Sequence, residues 1–323
     1  MDNLTYSCRT VVAQPSNYPI GLLLIAAPLI TPSAAHSALS SNICLNPSRV
    51  NSHHARRSRN TSGSQQNCQS IGWKKLDAVE FHYKTIEGLE HFFLGKEVQY
   101  VKARSKGLLI SVGDYVMYST PTLRRWTVTE HSKPDTTNRS LRVVFGNDKN
   151  TARLWSATDI EILEPWELSG HPYLAKLGPD VADLEIDFAE VIAQVSNPKF
   201  ARRQLSGLLL DQSFLAGVGN YLRSEILFDA GISPYRKVGS MSKSELDSLA
   251  KSAIGITALA YHEKGVTVPQ ELYQTLRDNG LSRYQARHYV FTRDGLECHK
   301  CQSLIVHTRL SNRRLDYCPK CQI

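Results

Sequence analysis

The sequence predicts an α+β protein in which an antiparallel, β-sandwich-like domain is followed by a helical domain and a short C-terminal cysteine ribbon. Three observations carry that expectation. Short β-forming segments recur after about residue 75, the apolar period turns helical beyond about residue 180, and two cysteine pairs close the chain. A length of 323 residues suits about two domains plus tails, because single cores usually stop growing below that size. With 41% hydrophobic and 21% charged residues, most of the chain can bury a core, which excludes wholesale disorder.

Residues 75–180 hold the β-forming segments: Ala78 to Tyr83, Val98 to Val101, Leu108 to Val112, Tyr115 to Tyr118, Trp126 to Val128, Leu141 to Phe145 and Ala152 to Trp155. Turn formers such as Gly113-Asp114 and Gly146-Asn147-Asp148 separate several of them, as in an antiparallel sandwich or barrel. Residues 181–290 read as helices. Phe188 to Gln194 and Leu205 to Leu210 are amphipathic or apolar, and Asn220 to Phe228 follows the glycine turn Ala216-Gly217-Val218-Gly219. Ser242-Lys243-Ser244-Glu245 is a capping box that opens a helix running towards Tyr261.

Residues 291–323 form the ribbon. Cys298-x2-Cys301 and Cys318-x2-Cys321 stand sixteen residues apart, the spacing of two thiolate knuckles converging on one tetrahedral zinc ion. A redox dithiol pair is the alternative, and it lacks the βαβ context of that chemistry. Four sulfur ligands leave zinc no open position, so the expected Zn2+ is structural. Ile305 to Leu310 and Arg314 to Tyr317 suit a two-stranded hairpin closed by Ser311-Asn312-Arg313. The other cysteines, Cys8, Cys44 and Cys68, are scattered, and an odd total argues against a secreted disulfide framework.

Residues 1–74 read as an atypical leader with twelve serines, one acidic residue and an apolar run, Ile20 to Ile30, too short to cross a bilayer comfortably. An organellar transit peptide, a secretory signal and a mis-assigned translation start all remain open. The compartment follows from that choice: cytoplasm and nucleoid in a bacterium, or an organelle if the leader directs import.

The net charge of +8 gathers at the ends: nine Lys/Arg against four Asp/Glu from Arg277 onward, and six against one up to Lys74. A basic end on a neutral body suggests a polyanion partner, with a solvated face as the bland reading. Arg313, expected at the hairpin tip, can meet a phosphate bidentately or be a plain loop arginine. Asn220 can cap the helix it opens, or that helix start can receive a phosphate.

The run LLLDQSFLAGVGNYLRSEILF, Leu208 to Phe228, together with the four-cysteine ribbon, resembles the formamidopyrimidine-DNA glycosylase and endonuclease VIII family, and the endonuclease VIII subgroup most closely. Similar stretches are Arg104 to Leu109, Trp155 to Glu161, His171-Pro172 and Leu177 to Asp180, so the likeness spans some three quarters of the chain. The resemblance implies a helix-two-turn-helix within the helical domain. It also implies a base-excision repair enzyme, monomeric and acting on double-stranded damaged DNA, that flips out an oxidised base, cleaves its glycosidic bond and nicks the strand.

Residue by residue, the resemblance implies Lys106 as the hairpin lysine near the reacting nucleotide and Arg313 as a helper in nicking. Asn220, Lys176 and Arg313 become DNA contacts, and Thr122-Leu123-Arg124 becomes the triplet that fills the void left in the stack. Leu123 suits an apolar wedge, whereas Thr122 and Arg124 stand where the subgroup carries glutamine and tyrosine. Without the resemblance, Lys106 is one lysine among many and Leu123 an ordinary core residue. The family's terminal proline nucleophile and its adjacent glutamate have no counterpart ahead of residue 75, where the chain reads Met1-Asp2-Asn3-Leu4 and contains no Pro-Glu pair. Two expectations therefore stand together: a glycosylase with abasic-site lyase activity, and a non-catalytic, zinc-dependent binder of abasic or damaged DNA.

Overall fold

A computed structural model describes residues 75–120, 125–130, 137–310 and 312–323. The leader and the Thr122-Leu123-Arg124 triplet lie outside the described residues. Among the described residues, no helix is long and apolar enough to cross a membrane.

The first domain contains two four-stranded antiparallel sheets. One has the order β1 (Ala78–Phe81), β6 (Leu141–Gly146), β7 (Asn150–Trp155), β5 (Arg125–Glu130). The other runs β2 (Val98–Arg104), β3 (Gly107–Val112), β4 (Tyr115–Ser119), β8 (Ile160–Leu163). Phe81, Leu108, Ile110, Met117, Phe145 and Leu154 meet in the core between the sheets, as alternation on each strand requires. Strand β3 is buried on both faces, because Leu109 on its other side packs with Val116, Tyr118 and Leu174 under the chain that follows β8. The expected strands form. Strand β8 adds an edge that its short Ile-Glu-Ile-Leu run did not announce.

In the β2–β3 hairpin Arg104 pairs with Gly107, leaving Ser105 and Lys106 as a two-residue turn. Ser105 has φ +57°, a position that such tight turns normally give to glycine. Holding a non-glycine residue there costs about 1–2 kcal/mol, so neighbouring contacts must fix it.

The helical domain has α1 (Phe188–Val195), α2 (Leu205–Leu208), α3 (Asn220–Asp229), α4 (Lys243–His262), α5 (Gln270–Asp278) and α6 (Arg283–Ala286). The Ser242–Glu245 capping box forms at the start of α4 as expected. A second box, Ser282–Gln285, opens α6, which together with α5 the sequence reading did not place. Helix α3 is embedded: Leu222 through Phe228 are all buried, with Ile226 and Leu227 in the domain core beside Leu208, Phe214 and Leu249. Each such aliphatic side chain contributes about 1.5–3 kcal/mol on burial.

The ribbon carries β9 (Val306–Leu310) and β10 (Arg313–Tyr317), an antiparallel pair packed on α3. Arg313 therefore pairs with Leu310 as the first residue of β10 and does not sit inside the turn, correcting its expected tip position by one residue. The ladder can take it because its backbone meets the Leu310 backbone while its side chain stays exposed.

Candidate nucleic-acid interface

Two hydrogen-bonded joints lie beside three of the expected site residues, one tying the turn that bears Lys106 to the glycine turn before Asn220, the other tying α3 to the backbone of β10 at Arg313. The first begins at the Ser105–Lys106 turn. The Ser105 N–H donates to the Asp180 carboxylate, and its hydroxyl donates to Gln212 Oε1 at 2.9 Å. The same oxygen accepts the Gly217 N–H at 3.0 Å, and Gln212 Nε2 donates to the Leu210 and Val218 carbonyls at 2.9 and 3.1 Å. The turn bearing Lys106 is thereby tied to the glycine turn before α3. Asp180 reinforces the joint, since its other oxygen accepts the Ala182 N–H at 3.1 Å and its backbone bridges Ala216. Burial raises the Asp180 carboxyl above its ordinary value, against the opposing pull of the Ser105 and Ala182 N–H groups and Arg104.

Gly217 has φ +90°, and a Cβ there would lie 2.9 Å from Asp180 Oδ1, so the turn needs glycine for conformation and for space. The residue preceding α3 is Gly219, which offers no side-chain cap, and Asn220 is the first helical residue. The expected capping role of Asn220 is thus corrected. With Gly219 in that place the helix start has no capping side chain of its own, which leaves backbone N–H groups and the positive end of the dipole for an anion.

One turn later Arg223 is fully buried. Its guanidinium donates to the Ser206 carbonyl at 2.5 Å, to the Arg314 carbonyl at 2.7 Å and, more weakly, to the Arg313 carbonyl at 3.5 Å. Burial pushes it down to about 10, with Asp316 opposing that change, so it remains a cation at neutral pH. This buried charge holds the backbone of β10 against α3 just where Arg313 projects. Two residues further, the Glu225 carboxylate accepts the N–H groups of Tyr289, Val290 and Phe291 and the Thr267 hydroxyl, fastening the approach to the ribbon. Asp316, also buried, accepts from Thr292 N, Arg314 Nε and His307 Nδ1 at 2.6, 2.7 and 2.8 Å.

Lys176 ends a short 3-10 turn and is exposed, two residues before Gly178, whose N–H donates to the Gln212 carbonyl. It therefore flanks the same joint. Thr122 and Leu123 lie outside the described residues. Sequence reasoning missed Gln212, Arg223, Glu225 and Asp180. The one available signal was charge inside an apolar run, Arg223-Ser224-Glu225 between Leu222 and Ile226.

The four cysteines converge as their spacing predicts, with all four sulfurs within 4.8 Å of one another. Cys298 and Cys321 Sγ are 3.9 Å apart, and Cys301 and Cys318 Sγ 3.4 Å, far beyond a disulfide bond of about 2.05 Å. A tetrahedral ion with metal–sulfur bonds of about 2.3 Å spaces its ligands by about 3.8 Å, so the donor set fits one metal ion.

A β-sandwich joined to a helix-turn-helix unit and a thiolate ribbon is the fold of the formamidopyrimidine-DNA glycosylases. The Lactococcus lactis Fpg structure with DNA containing an abasic site superposes at a TM-score of 0.65, with 19% identity over 82% of this chain and 98% of that one. MutM in complex with DNA containing carbocyclic 8-oxo-G gives 0.66, with 19% identity over 83% of this chain and all of the other. Residues 177–270 match the formamidopyrimidine-DNA glycosylase H2TH domain. Endonuclease 8 of Klebsiella pneumoniae strain 342 is 38% identical over 255 residues, 78% of this chain and 94% of the relative. Endonuclease 8 of Enterobacter sp. strain 638 is 37% identical over the same length. The chain belongs to the formamidopyrimidine-DNA glycosylase and endonuclease 8 family.

Proposed function

We propose that this protein is a base-excision repair enzyme, a DNA glycosylase with abasic-site lyase activity on oxidised bases, whose ribbon holds one structural zinc ion. The observation that carries the reading is the pair of hydrogen-bonded joints, one from the Lys106 turn through Gln212 to the glycine turn before α3, the other from Arg223 of α3 to the β10 backbone beside Arg313. Relatives named endonuclease 8, and neighbours solved with 8-oxo-G or abasic DNA, support the substrate class.

Four thiolates suit zinc, and a closed sulfur shell limits the ion to holding hairpin β9–β10 in place. Phosphates of the damaged strand then meet the N–H groups at Asn220 and the exposed guanidinium of Arg313. The target nucleotide turns out of the stack so that its C1′ faces the Lys106 turn. At an abasic site the Lys106 amine, after giving up its ammonium proton, adds to the C1′ aldehyde, and the carbinolamine takes up a proton and loses water to give an iminium that acidifies C2′. Loss of the C2′ proton then breaks the C3′–O bond, and the strand is nicked with the phosphate as leaving group.

Borohydride reduction of the protein mixed with a duplex containing one abasic site tests the reading. A covalent adduct is expected for the wild type and is expected to be absent for Lys106→Ala, with duplex binding retained. A wild type that binds but never becomes trapped is a non-catalytic binder of abasic DNA. Trapping that survives Lys106→Ala transfers the nucleophile to another amine.

A further inference from the structure

Gln212 makes every hydrogen bond its side-chain amide can make, two as acceptor and two as donor, and it does so between two domains. Exchanging its oxygen and nitrogen would aim an NH2 group at the Gly217 N–H and its oxygen at the Leu210 and Val218 carbonyls, so one orientation is fixed. Three of its four bonds stay within its own segment. The fourth, from the Ser105 hydroxyl, crosses to the β2–β3 turn, where a non-glycine residue is held at φ +57° directly before Lys106.

We infer that Gln212 is a positioning residue that couples phosphate binding at the start of α3 to the placement of the Lys106 amine, with the Ser105 hydroxyl as its lever. This rests on the lyase reading above and names the internal link it requires. Phosphate seated at Asn220 orders the Gly217–Gly219 turn. That turn fixes Gln212 Oε1 through the Gly217 N–H, and Gln212 fixes Ser105. The direction in which the next side chain leaves the turn is then set by where the DNA backbone sits. Asp180 braces the same turn by a different route, through the Ser105 N–H, so removing the hydroxyl alone loosens the turn without dismantling the joint.

The test uses the full-length protein carrying Ser105→Gly or Ser105→Ala. Glycine removes the hydroxyl and relieves the positive φ, while alanine removes the hydroxyl and keeps the strain. Both variants are expected to form the borohydride-trapped adduct at least about tenfold more slowly at saturating abasic duplex, since misplacing a reacting group by a fraction of an ångström costs that much or more. Affinity for a duplex carrying a non-cleavable abasic analogue is expected to stay within about twofold, because the phosphate contacts are untouched. Melting of Ser105→Gly is expected at or above the wild-type temperature.

A fast Ser105→Gly beside a slow Ser105→Ala would assign the effect to backbone strain and overturn the coupling, as would two fast variants. Amide exchange supplies a readout independent of chemistry: the analogue duplex should slow exchange across residues 104–108 in the wild type and much less in Ser105→Gly. Equal protection in the two overturns the inference even if the wild type never traps. A wild type that neither traps nor binds the duplex sinks the functional reading and this one together.

Discussion

Replacing Glu225 by glutamine removes one charge and one acceptor from the most heavily bonded buried carboxylate in the helical domain. Oε1 accepts the Val290 and Phe291 N–H groups, both at 2.9 Å, while Oε2 accepts Tyr289 N at 2.8 Å and Thr267 Oγ1 at 2.7 Å. A glutamine can keep its oxygen towards Val290 and Phe291, which turns its NH2 towards Tyr289 and Thr267. The Thr267 hydroxyl can rotate to accept, since the Arg287 carbonyl and His288 Nδ1 lie within its reach. The Tyr289 N–H cannot adapt and is left facing a donor. One orphaned buried N–H costs about 1–3 kcal/mol, and two surviving bonds that lose their charge assistance cost about 0.5–1 kcal/mol each. Against this, glutamine is spared the burial of a charge, and burial does raise the Glu225 carboxyl, with the N–H donors opposing it. A net loss of about 2–3 kcal/mol results, equivalent to roughly 8–12 °C in melting temperature at about 4 °C per kcal/mol for a helical domain of about 110 residues. Calorimetry of wild type and Glu225→Gln at pH 7 with zinc present measures it. A shift under about 2 °C would refute this pairing, because no arrangement of an amide satisfies three converging N–H groups.

Arg313→Ala should leave melting unchanged, since the side chain is exposed, while lowering the slope of log affinity against log salt by about one unit; an unaltered slope would remove Arg313 from the phosphate contacts. Chelation of the metal, or Cys298→Ser, should weaken duplex binding by more than tenfold and release one zinc per chain in a chromogenic assay, whereas full binding by zinc-free protein would contradict the role given to the hairpin (order of magnitude from about 10–16 kcal/mol for structural zinc). Burial acts to raise the Asp211 carboxyl, but its bonds to Arg203 and Ser213 outweigh that and leave it below its ordinary value. A depressed folded value means stabilisation present above the unfolded value, about 3.9, and lost as pH falls through the folded one. Asp211→Asn should therefore be less stable than wild type at pH 6, with the two converging in melts below pH 3; a constant gap would contradict the linkage.

The strands between Ala78 and Trp155 were legible because β-branched and aromatic runs alternate with glycine and aspartate turns, and the ribbon because C-x-x-C pairs have little else to be. Strand β8 escaped because four residues with an internal glutamate resemble any edge. Helices α5 and α6 escaped because they are short and mostly exposed, α5 burying only Leu276 and α6 only Ala286. For the site, Lys106, Asn220, Lys176 and Arg313 were candidates that the resemblance supplied; Asn220, which alone could equally have been a cap, is the first helical residue, since backbone geometry at a glycine turn decides where the helix begins.

What the sequence determined alone was local: periodicity, turn chemistry, the knuckle spacing, and the basic end that suits a polyanion. What only the tertiary structure decided was which of those parts touch. Ser105 and Gln212 are 107 positions apart, and Arg223 and the Arg314 carbonyl 91. Such pairs leave no local trace, because a buried polar side chain is satisfied by whatever folding brings beside it, and that partner is chosen by how the domains pack.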